Sequence, residues 1–416
     1  MTSDQPKTAY VWIWLPGATE PVVAGRISSR NAAVEFRYGQ SYLGRAEAIP
    51  LYLPELPLQR GPIRPLGHLT IAGCLADAGP DAWGRRVVMH RRASAGAADF
   101  DPESLSPITY LLESGSDRIG ALDFQASATD YDPRGGNADL SELAEAAQRL
   151  EAGIPFSASL DEALLHGSSV GGARPKALLR HGDRSMIAKF SSSSDAPPGL
   201  AVKREYAAMT LARLAGLNVA RVELTSALGQ DVLLVERFDR IPGLGRRSVL
   251  SVLTLLGLDE MEGWYATYWE LADIIRQRFI NPVETLRELF GRIAFNIAIG
   301  NTDDHARNHA AFWNGEDLEL TPAYDIDPQP RSGGEARQAL AFGREGQRMS
   351  RFADVISSAP TYLLTVDQGR EIVDMIIDTI NQNWRSVAEQ AGMTRLEQST
   401  LWKRAILNPF ASQPSE

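Results

Sequence analysis

The spacing of apolar residues is most regular in the last third of the chain. Residues 286–299 carry apolar side chains at helical spacing, and Gly300 follows the last of them. A glycine directly after such a run is typical of a helix C-terminus, because glycine adopts the left-handed conformation without steric cost. A dense polar segment begins at Asn301. The pattern therefore predicts a buried helix that ends in a polar loop.

A β-hairpin is predicted directly after this loop. Ala310–Trp313 and Leu318–Thr321 are short, largely apolar runs, and Asn314-Gly315 between them is a strong hairpin-turn signal. The second strand of a hairpin runs back along the first. We therefore expect the hairpin to return Asp325 to the polar loop.

The N-terminal part of the chain alternates short apolar runs with turn residues, which predicts a small β-rich unit over residues 10–53. Four prolines between residues 54 and 65 indicate a rigid surface connection. Residues 105–113 are predicted to be helical and residues 118–124 to form a strand, and the polar, turn-rich stretch 125–141 indicates a domain boundary. The apolar runs of the β-rich unit are Tyr10–Leu15, Pro21–Ile27, Ala33–Tyr38 and Ala48–Leu53.

The middle of the chain begins with a glycine-rich segment at residues 166–180 and continues with strands and a helix. From Val249 to Leu407 helical patterns dominate, apart from the hairpin and a Gly/Ser-rich break at residues 331–334. The other predicted elements are a turn at 181–183, a strand at 185–190, a helix at 202–214, and paired strands at 219–228 and 231–238.

Composition narrows the class of protein. The chain has 416 residues, 44% of them hydrophobic, and a net charge of 42 minus 52, or -10. This acidic balance argues against a basic nucleic-acid binder, so any DNA contact needs a local patch or a basic partner. The single cysteine, Cys74, excludes an intramolecular disulfide framework. Without a signal-peptide pattern or an apolar run near ~18 residues, the sequence predicts a soluble cytoplasmic protein with no membrane association.

The polar loop and the hairpin together hold a recognisable set of chemical groups. Asp303 and Asn308 lie five residues apart, and Asp325 follows the hairpin. Protein kinases use an acid, an amide five residues later and a second acid in this order. The first acid accepts the proton of the substrate hydroxyl, and the other two groups hold Mg²⁺ on the ATP phosphates. An isolated spacing of this kind is usually a polar surface loop, so the interpretation depends on the rest of the chain.

The middle of the chain supplies groups suited to ATP. Gly171 and Gly172 lie in the glycine-rich segment, where small residues let backbone N–H groups approach phosphate, and Lys189 closes the following strand. Glu205, on the predicted helix, is the candidate to hold that lysine, and a solvated surface charge is an equal alternative. The strand end at Glu236 to Phe238 is where the adenine edge would meet backbone groups.

Seven segments stand in the order shown by a known family. The chain resembles the HipA-like serine/threonine kinases, which are toxins of bacterial toxin–antitoxin modules. The segments are P-D-A-W-G-R (80–85), R-I-G-A-L-D-F (118–124), S-V-G-G-A-R-P-K-A-L-L (169–179), I-A-K-F (187–190), V-E-R-F-D-R (235–240), N-T-D-D-H-A-R-N (301–308) and L-T-P-A-Y-D-I (320–326). From spacing alone, Trp83 and Arg85 in the first segment are predicted to be a packing and a surface residue.

The resemblance implies an α+β fold of the two-lobe, protein-kinase-like type. It divides the chain into a β-rich N-terminal region (1–125), a kinase small lobe (126–240) and a mostly helical C-terminal lobe (241–416), with ATP bound between the lobes. The cofactors implied are ATP and Mg²⁺.

The resemblance also implies roles for individual residues. Asp303 matches the catalytic base, His305 a loop-organising histidine, and Ser169, with Ser168 as the weaker candidate, the self-phosphorylated switch. Asp304 replaces a residue that is often glycine in the family, and a carboxylate there is expected to raise the pKa of Asp303 or to add a metal contact. The remaining matches are Asn308 and Asp325 as Mg²⁺ ligands, Lys189 at the ATP phosphates, and Glu236 and Phe238 at the adenine.

Family members phosphorylate proteins, including aminoacyl-tRNA synthetases, and so inhibit translation and growth. A HipB-like helix-turn-helix antitoxin neutralises them, and DNA is reached only indirectly through that partner. Two other functions use the same groups or the same partner: a small-molecule phosphotransferase, and a catalytically silent corepressor. The R-I-G-A-L segment argues against the first, and the complete set of catalytic groups argues against the second. A zinc site at His305 and His309 lacks a helix and a third ligand.

Overall fold

The computed structural model describes residues 5–30, 33–94, 105–135, 139–152, 154, 174–192, 199–243, 245–331 and 333–414. The chain forms two compact units that are each built from separate stretches of sequence. The first comprises Met1–Ser193, Ser226–Leu250 and Phe312–Glu316, and the second comprises Ser194–Thr225, Ser251–Ala311 and Asp317–Glu416.

The described residues contain thirteen strands and twelve α-helices. The strands are β1 (Thr8–Ile13), β2 (Val22–Arg30), β3 (Ala33–Tyr38), β4 (Leu122–Gln125), β5 (Lys176–His181), β6 (Arg184–Phe190), β7 (Val222–Ala227), β8 (Gln230–Glu236), β9 (Arg240–Ile241), β10 (Gly245–Arg246), β11 (Ser248–Ser251), β12 (Ala310–Trp313) and β13 (Leu318–Leu320). The helices are α1 (Gln40–Leu43), α2 (Gly73–Ala76), α3 (Ala82–Ser94), α4 (Pro107–Glu113), α5 (Leu140–Glu151), α6 (Leu200–Leu214), α7 (Val252–Leu255), α8 (Tyr268–Arg278), α9 (Pro282–Ile299), α10 (Phe352–Ser357), α11 (Val366–Gln390) and α12 (Arg395–Leu401).

An antiparallel sheet of order β3-β2-β1-β4 forms the N-terminal part of the first unit. The predicted β-rich region is confirmed in β1 to β3, but the strand expected over Ala48–Leu53 is wrong. Pro50 in the middle of that run has no N–H to donate to a ladder. Instead, the Leu51 N–H donates to the Tyr38 hydroxyl at 2.9 Å, and that hydroxyl donates to the Leu56 carbonyl at 2.7 Å. The segment is therefore held by a buried side chain.

A second four-stranded sheet has the order β5-β6-β8-β7. Apolar residues of α3 and α5 pack on it and form a buried cluster centred on Trp83, which is fully buried. The Trp83 indole N–H donates to the Lys176 carbonyl at 3.0 Å, and the Asp81 carboxylate accepts the N–H of Trp83 at 3.1 Å. Arg85 is exposed. Both predictions for this segment, a packing tryptophan and a surface arginine, are confirmed.

The second unit is mostly helical, as predicted. The long helix α11 packs against both α6 and α9. The predicted helix at 286–299 corresponds to α9, which is buried along most of that length and begins earlier, at Pro282. Proline is favoured in the first turn of a helix, which accounts for this start. Gly300 ends α9 with a φ of +75°, and a Cβ built there would lie 2.6 Å from the Ala405 carbonyl oxygen. No other residue fits this position without a shift of the backbone.

The break in the helical pattern is much longer than predicted. The sequence indicated only residues 331–334, whereas the described residues between β13 and α10 form turns, bends and isolated bridges. Pro322, Pro328 and Pro330 interrupt any helix there, because proline lacks the N–H that continues a helical ladder. This long connection carries Asp325 and Asp327.

In the described part of the chain, no helix combines the length and the apolar character needed to cross a lipid bilayer.

Candidate active site

The loop after α9 lies in the second unit and is held to the helix that precedes it. The Asn301 N–H donates to the Asn296 carbonyl at 2.9 Å, and the Asn301 side-chain amide donates to the Asn296 side-chain oxygen at 3.1 Å. The Gln329 N–H donates to the Gly300 carbonyl at 3.0 Å. The first residues of the loop are therefore fixed on two sides.

The loop places the two predicted groups Asp303 and Asn308 side by side. The Asn308 side-chain amide donates to the Asp303 carbonyl at 3.3 Å, and the Asn308 N–H donates to the His305 carbonyl at 2.9 Å. Asp303 and His305 are exposed, whereas Asn308 is buried. The exposed carboxylate of Asp303 is therefore accessible to a reactant, while its peptide group is held by Asn308.

The hairpin returns the chain as the sequence predicts. The Thr321 N–H and its hydroxyl both donate to the Ala310 carbonyl, each at 3.0 Å, so the chain leaves β13 beside the start of β12. The Ala323 N–H then donates to the Asn218 carbonyl at 2.8 Å. Asp325 follows with a φ of +59°, which is unusual for a residue other than glycine. Left-handed backbone at a non-glycine residue often marks a functional position.

Three other carboxylates lie close enough to Asp303 for their charges to act on its pKa. Burial raises the pKa of Asp303, and the negative charges of Asp325, Asp327 and Asp304 raise it further, whereas His305 lowers it. The net pKa of Asp303 lies above its ordinary value. A carboxylate with a raised pKa is a better proton acceptor when it is ionised. Crowded carboxylates together with an amide oxygen are also the donor set that Mg²⁺ prefers, so the residues present fit this cation.

Asp304 is part of the interior. Its Oδ2 accepts hydrogen bonds from the Tyr268 hydroxyl, from the Asn296 amide at 2.7 Å and from the His309 Nε2 at 2.8 Å. The expected rise in the pKa of Asp303 is found, with Asp304 as a minor contributor. The alternative expectation, a metal contact, does not account for Asp304, since Oδ2 serves three protein donors. His309 Nε2 binds the same carboxylate, and its Nδ1 is buried without a hydrogen-bond partner. Among the described residues no third ligand joins His305 and His309, so the zinc interpretation has no support.

Two neighbouring charged residues of α6, Arg204 and Glu205, are not simply surface charges in contact with solvent. Glu205 is only 7% exposed, so its interpretation as a solvated charge is wrong, and its role toward a lysine stays a prediction. Its neighbour Arg204 forms a two-point ion pair with Asp327, with Nη2 2.7 Å from Oδ2. Sequence reasoning missed Arg204. The only available signal was the run of three charged residues, Lys203 to Glu205, in a largely apolar helix.

In the first unit, Lys189 lies on β6, opposite Lys176 of β5 and Leu233 of β8. Glu236 ends β8, where its carboxylate lies 3.6 Å from the Arg184 guanidinium. Phe238 follows and packs edge-on against Phe312, with ring centroids 5.7 Å apart. The structure therefore places all three predicted ATP contacts on or just after two adjacent strands. Gly171, Gly172, Ser168 and Ser169 lie outside the described residues.

A buried charge network fixes the end of β8, and sequence reasoning missed it. The Arg237 guanidinium is fully buried and lies 2.9 Å from carboxylate oxygens of both Asp117 and Asp239. The Asp239 carboxylate also accepts the Gly120 N–H at 2.7 Å, and Arg240 donates to the Gly120 carbonyl at 3.0 Å. The R-I-G-A-L-D-F and V-E-R-F-D-R segments are therefore interlocked, which accounts for two motifs that carry no catalytic group.

Comparison with protein families agrees with this arrangement. The model of the HipA-like C-terminal domain matches residues 168–384, and that of the HipA N-terminal domain matches residues 14–125. The chain belongs to the HipA-like family. The fold is accordingly α+β, with a β-rich N-terminal region and a helical C-terminal part.

HipA-like relatives are recognised over parts of their length. The serine/threonine-protein kinase toxin HipA of Shewanella oneidensis is 31% identical over 144 residues, which are 30% of this chain and 33% of that protein. A Sinorhizobium fredii protein whose name describes it as a kinase, Y4mE, is 28% identical over 149 residues, or 34% of this chain and 33% of that protein. The chain thus spans about a third of the length of the curated relatives it matches.

A solved structure extends the HipA-like fold across the chain. A chain of the Shewanella oneidensis complex of HipA, HipB and operator DNA superposes with a TM-score of 0.66 at 18% identity, covering 94% of both chains. At this identity, the similarity shows a common fold.

Proposed function

We propose that this chain is an ATP-dependent serine/threonine protein kinase and the toxin of a HipA/HipB-like toxin–antitoxin module. One observation carries the proposal: the exposed carboxylate of Asp303 lies beside Asn308 and within the electrostatic reach of Asp325. This is the base and metal-ligand set that phosphoryl transfer needs. Membership of the HipA-like family supports it.

In the proposed mechanism, Asp303 accepts the proton of the substrate hydroxyl. Its raised pKa strengthens it as a base, and its exposure gives a protein substrate access. His305 supports the loop through its carbonyl, which accepts the Asn308 N–H at 2.9 Å. Asn308 and Asp325 would hold Mg²⁺, which supplies charge neutralisation on the phosphates when it is bound.

The remaining groups are proposed to bind ATP. Lys189 would contact the α- and β-phosphates, and the backbone at Glu236 and Phe238 would meet the adenine. The Arg237 N–H donates to the Ser185 carbonyl at 2.9 Å within the sheet, so the residues on either side of it are the candidates. Gly171 and Gly172 are proposed to cradle the phosphates, and Glu205 to orient Lys189.

The physiological proposal concerns a target and a partner. We expect a protein target, with aminoacyl-tRNA synthetases as the first class to examine, and a basic helix-turn-helix antitoxin. The solved complex that shares this fold contains HipA, HipB and operator DNA. A net charge of -10 suits a basic partner that reads the DNA on behalf of this chain.

The decisive experiment measures phosphoryl transfer from γ-labelled ATP by the purified chain, using cell extract as the acceptor. Asp303→Asn should abolish transfer and leave ATP binding within about threefold, because the proton acceptor is lost while the phosphate contacts remain. Asp374→Asn, which removes an exposed carboxylate on α11, serves as the matched control. Transfer by Asp303→Asn within tenfold of wild type contradicts the proposed role.

Expression in cells separates the rival functions. A toxin arrests growth only with Asp303 intact, whereas a corepressor keeps its effect in Asp303→Gln. A small-molecule phosphotransferase leaves the phosphoproteome unchanged. Phosphoproteomics on cells that express the wild type or Asp303→Gln would also name the protein target, and harmless expression without any partner counts against the toxin assignment.

Self-phosphorylation of Ser169 is proposed as an off-switch. A phosphate adds about -1.5 to -2 charges to a segment meant to cradle ATP phosphates, so repulsion would disfavour ATP. Peptide mass spectrometry should find the phosphate on Ser169, with Ser168 as the weaker candidate, only in protein with Asp303 intact. If Ser169→Ala raises neither ATP affinity nor toxicity although the wild type is fully phosphorylated, this switch is wrong.

A further inference from the structure

Three buried donors meet on one oxygen atom beside the proposed base. Asp304 is 3% exposed, and its Oδ2 accepts from Asn296 at 2.7 Å, from His309 at 2.8 Å and from the Tyr268 hydroxyl. Tyr268 belongs to α8, Asn296 to α9, and His309 to the far end of the loop itself. One carboxylate therefore joins two helices to the loop.

The loop around this carboxylate alternates between buried and exposed positions. Residues 304, 306 and 308 are buried, and residues 303, 305 and 307 are exposed. Residues 306–308 form a turn, in which the Asn308 N–H donates to the His305 carbonyl. Withdrawing Asp304 from the interior would therefore also displace its neighbours Asp303 and His305.

The same network holds both ends of the loop. The Asn296 side chain donates to Asp304 and accepts from the Asn301 amide at 3.1 Å, so one residue of α9 binds the loop at two points. At the other end, the His309 carbonyl accepts the Val252 N–H at 2.9 Å. Between these points, Asn308 donates to the Asp303 carbonyl.

The chemistry of the donors favours an ionised Asp304. The Asn296 amide nitrogen can only donate, and the Tyr268 hydroxyl and His309 Nε2 both have an acceptor at Oδ2. Hydrogen bonds to a charged acceptor are the stronger kind, and a buried charge needs several of them. An amide at this position could place its oxygen where Oδ2 lies, but it carries no charge, so all three hydrogen bonds would be weaker, and its NH₂ group would take the place of Oδ1.

We propose that Asp304 is a positioning residue for phosphoryl transfer, which fixes the conformation of the loop and so presents Asp303 to the substrate. This inference rests on the proposed function. Asp304 does not touch the reactants itself. Its contribution is to keep the base in one geometry, since small misplacements of a catalytic group are costly to the rate.

Two substitutions that disturb this network to different extents test the role of Asp304. Asp304→Asn preserves the shape and removes the charge, and Tyr268→Phe removes a single donor and keeps the ring. We expect Asp304→Asn to lower kcat at least tenfold with the Kd for Mg·ATP within threefold of wild type, and Tyr268→Phe to lower kcat less. The double variant should be no worse than Asp304→Asn, because both changes act through one network. Asp374→Asn is again the control.

The value of kcat is divided by the concentration of protein that binds nucleotide, so that a loss of folded protein is not mistaken for a displaced Asp303. If Asp304→Asn lowers only the melting temperature and the bound fraction, while kcat per binding site stays within threefold of wild type, Asp304 is merely structural and the proposal is wrong. The same conclusion follows if the losses of the two single variants simply add.

Hydrogen–deuterium exchange separates this proposal from the proposed function. Amides of residues 300–309 should exchange at least tenfold faster in Asp304→Asn than in wild type, with exchange in α11 unchanged. If wild type transfers no phosphate, the kinase assignment fails, and the exchange result still shows whether Asp304 sets the loop. Unchanged exchange in residues 300–309 overturns the positioning role.

Discussion

Arg204 and Asp327 are joined by a two-point ion pair although they lie 123 residues apart in the sequence. Arg204 Nη2 lies 2.7 Å from Asp327 Oδ2, and its Nε donates to Oδ1. Gln329 donates to Oδ2 at 3.2 Å. Because a planar guanidinium fits a carboxylate at two points, the pair fixes the orientation of the backbone two residues after Asp325.

Replacing Arg204 by lysine keeps the charge and removes the fork. Lysine cannot make both hydrogen bonds to Asp327, so the backbone near Asp325 should be held less well, and we expect kcat for phosphoryl transfer to fall roughly tenfold, or about 1.4 kcal/mol of transition-state stabilisation. Arg385→Lys is the matched control, since its pair with Glu389 on α11 is exposed. Steady-state kinetics with a Mg²⁺ titration provide the measurement. Equal kinetics for the two variants would show that the two-point contact of Arg204 with Asp327 does not hold the segment that carries Asp325.

Asp325→Asn should differ from Asp303→Asn in its dependence on Mg²⁺. Removing a charged ligand weakens metal-dependent ATP affinity as well as rate, so the Mg²⁺ concentration for half-maximal activity should rise at least about tenfold. Asp303→Asn should lower kcat with that concentration unchanged. Calorimetric titration of ATP at several Mg²⁺ concentrations measures both. An Asp325→Asn protein with the wild-type Mg²⁺ dependence would exclude Asp325 as a direct ligand.

Arg237→Met should strongly destabilise the first unit. The substitution removes the main partner of Asp239, which is only 2% exposed, and breaking a buried pair from one side costs about 3–5 kcal/mol. Arg344→Met is the control, because the Arg344 pair with Asp273 lies at the surface and is worth at most about 1 kcal/mol. Urea denaturation monitored by tryptophan fluorescence compares the two. Similar midpoints for both variants would contradict the importance of the network.

The same network predicts a loss of stability in acid. Burial raises the pKa of Asp239, but the charges of Arg237 and Arg240 outweigh burial, so the folded pKa lies below its ordinary value. The stabilising contribution is therefore complete above the unfolded pKa, about 3.9, and is lost as the pH falls through the folded pKa. In Arg237→Met, burial is opposed by Arg240 alone, so the folded pKa of Asp239 should rise toward or above the unfolded value, and the variant should lose less stability than wild type as the pH falls. Urea midpoints measured between pH 3 and 7 test this, and parallel curves for the two proteins would refute it.

The sequence predicted best what is local. The helix before Gly300, the hairpin after the loop and the spacing of Asp303 and Asn308 all depend on residues close together in the chain, where periodicity and turn chemistry decide the outcome. The hairpin turn at Asn314-Gly315 and the packing role of Trp83 could be predicted for the same reason. The strand predicted at residues 48–53 was wrong. An apolar run does not reveal that one of its backbone N–H groups, that of Leu51, donates to the buried hydroxyl of Tyr38.

What the sequence could not provide are the pairings between distant residues. Arg204 with Asp327, Arg237 with Asp117 and Tyr268 with Asp304 each join segments that are separate in the chain. Charged residues are common, and a single sequence gives no sign of which two will meet. The candidate catalytic groups could therefore be named from the sequence, but the groups that hold them in place could not.

Each unit is built from stretches that alternate along the sequence, and this limits how early each unit can fold during synthesis. On a ribosome that adds 5–20 residues per second, α6 is complete about 176 residues, or roughly 9–35 seconds, before its packing partner α11 has been synthesised. The first unit likewise waits for the stretch that ends at Glu316. A nascent chain cannot assemble the loop, the segment that carries Asp325 and their supporting helices until α11 has been made. The proposed toxin would therefore be inert until that point in its own translation.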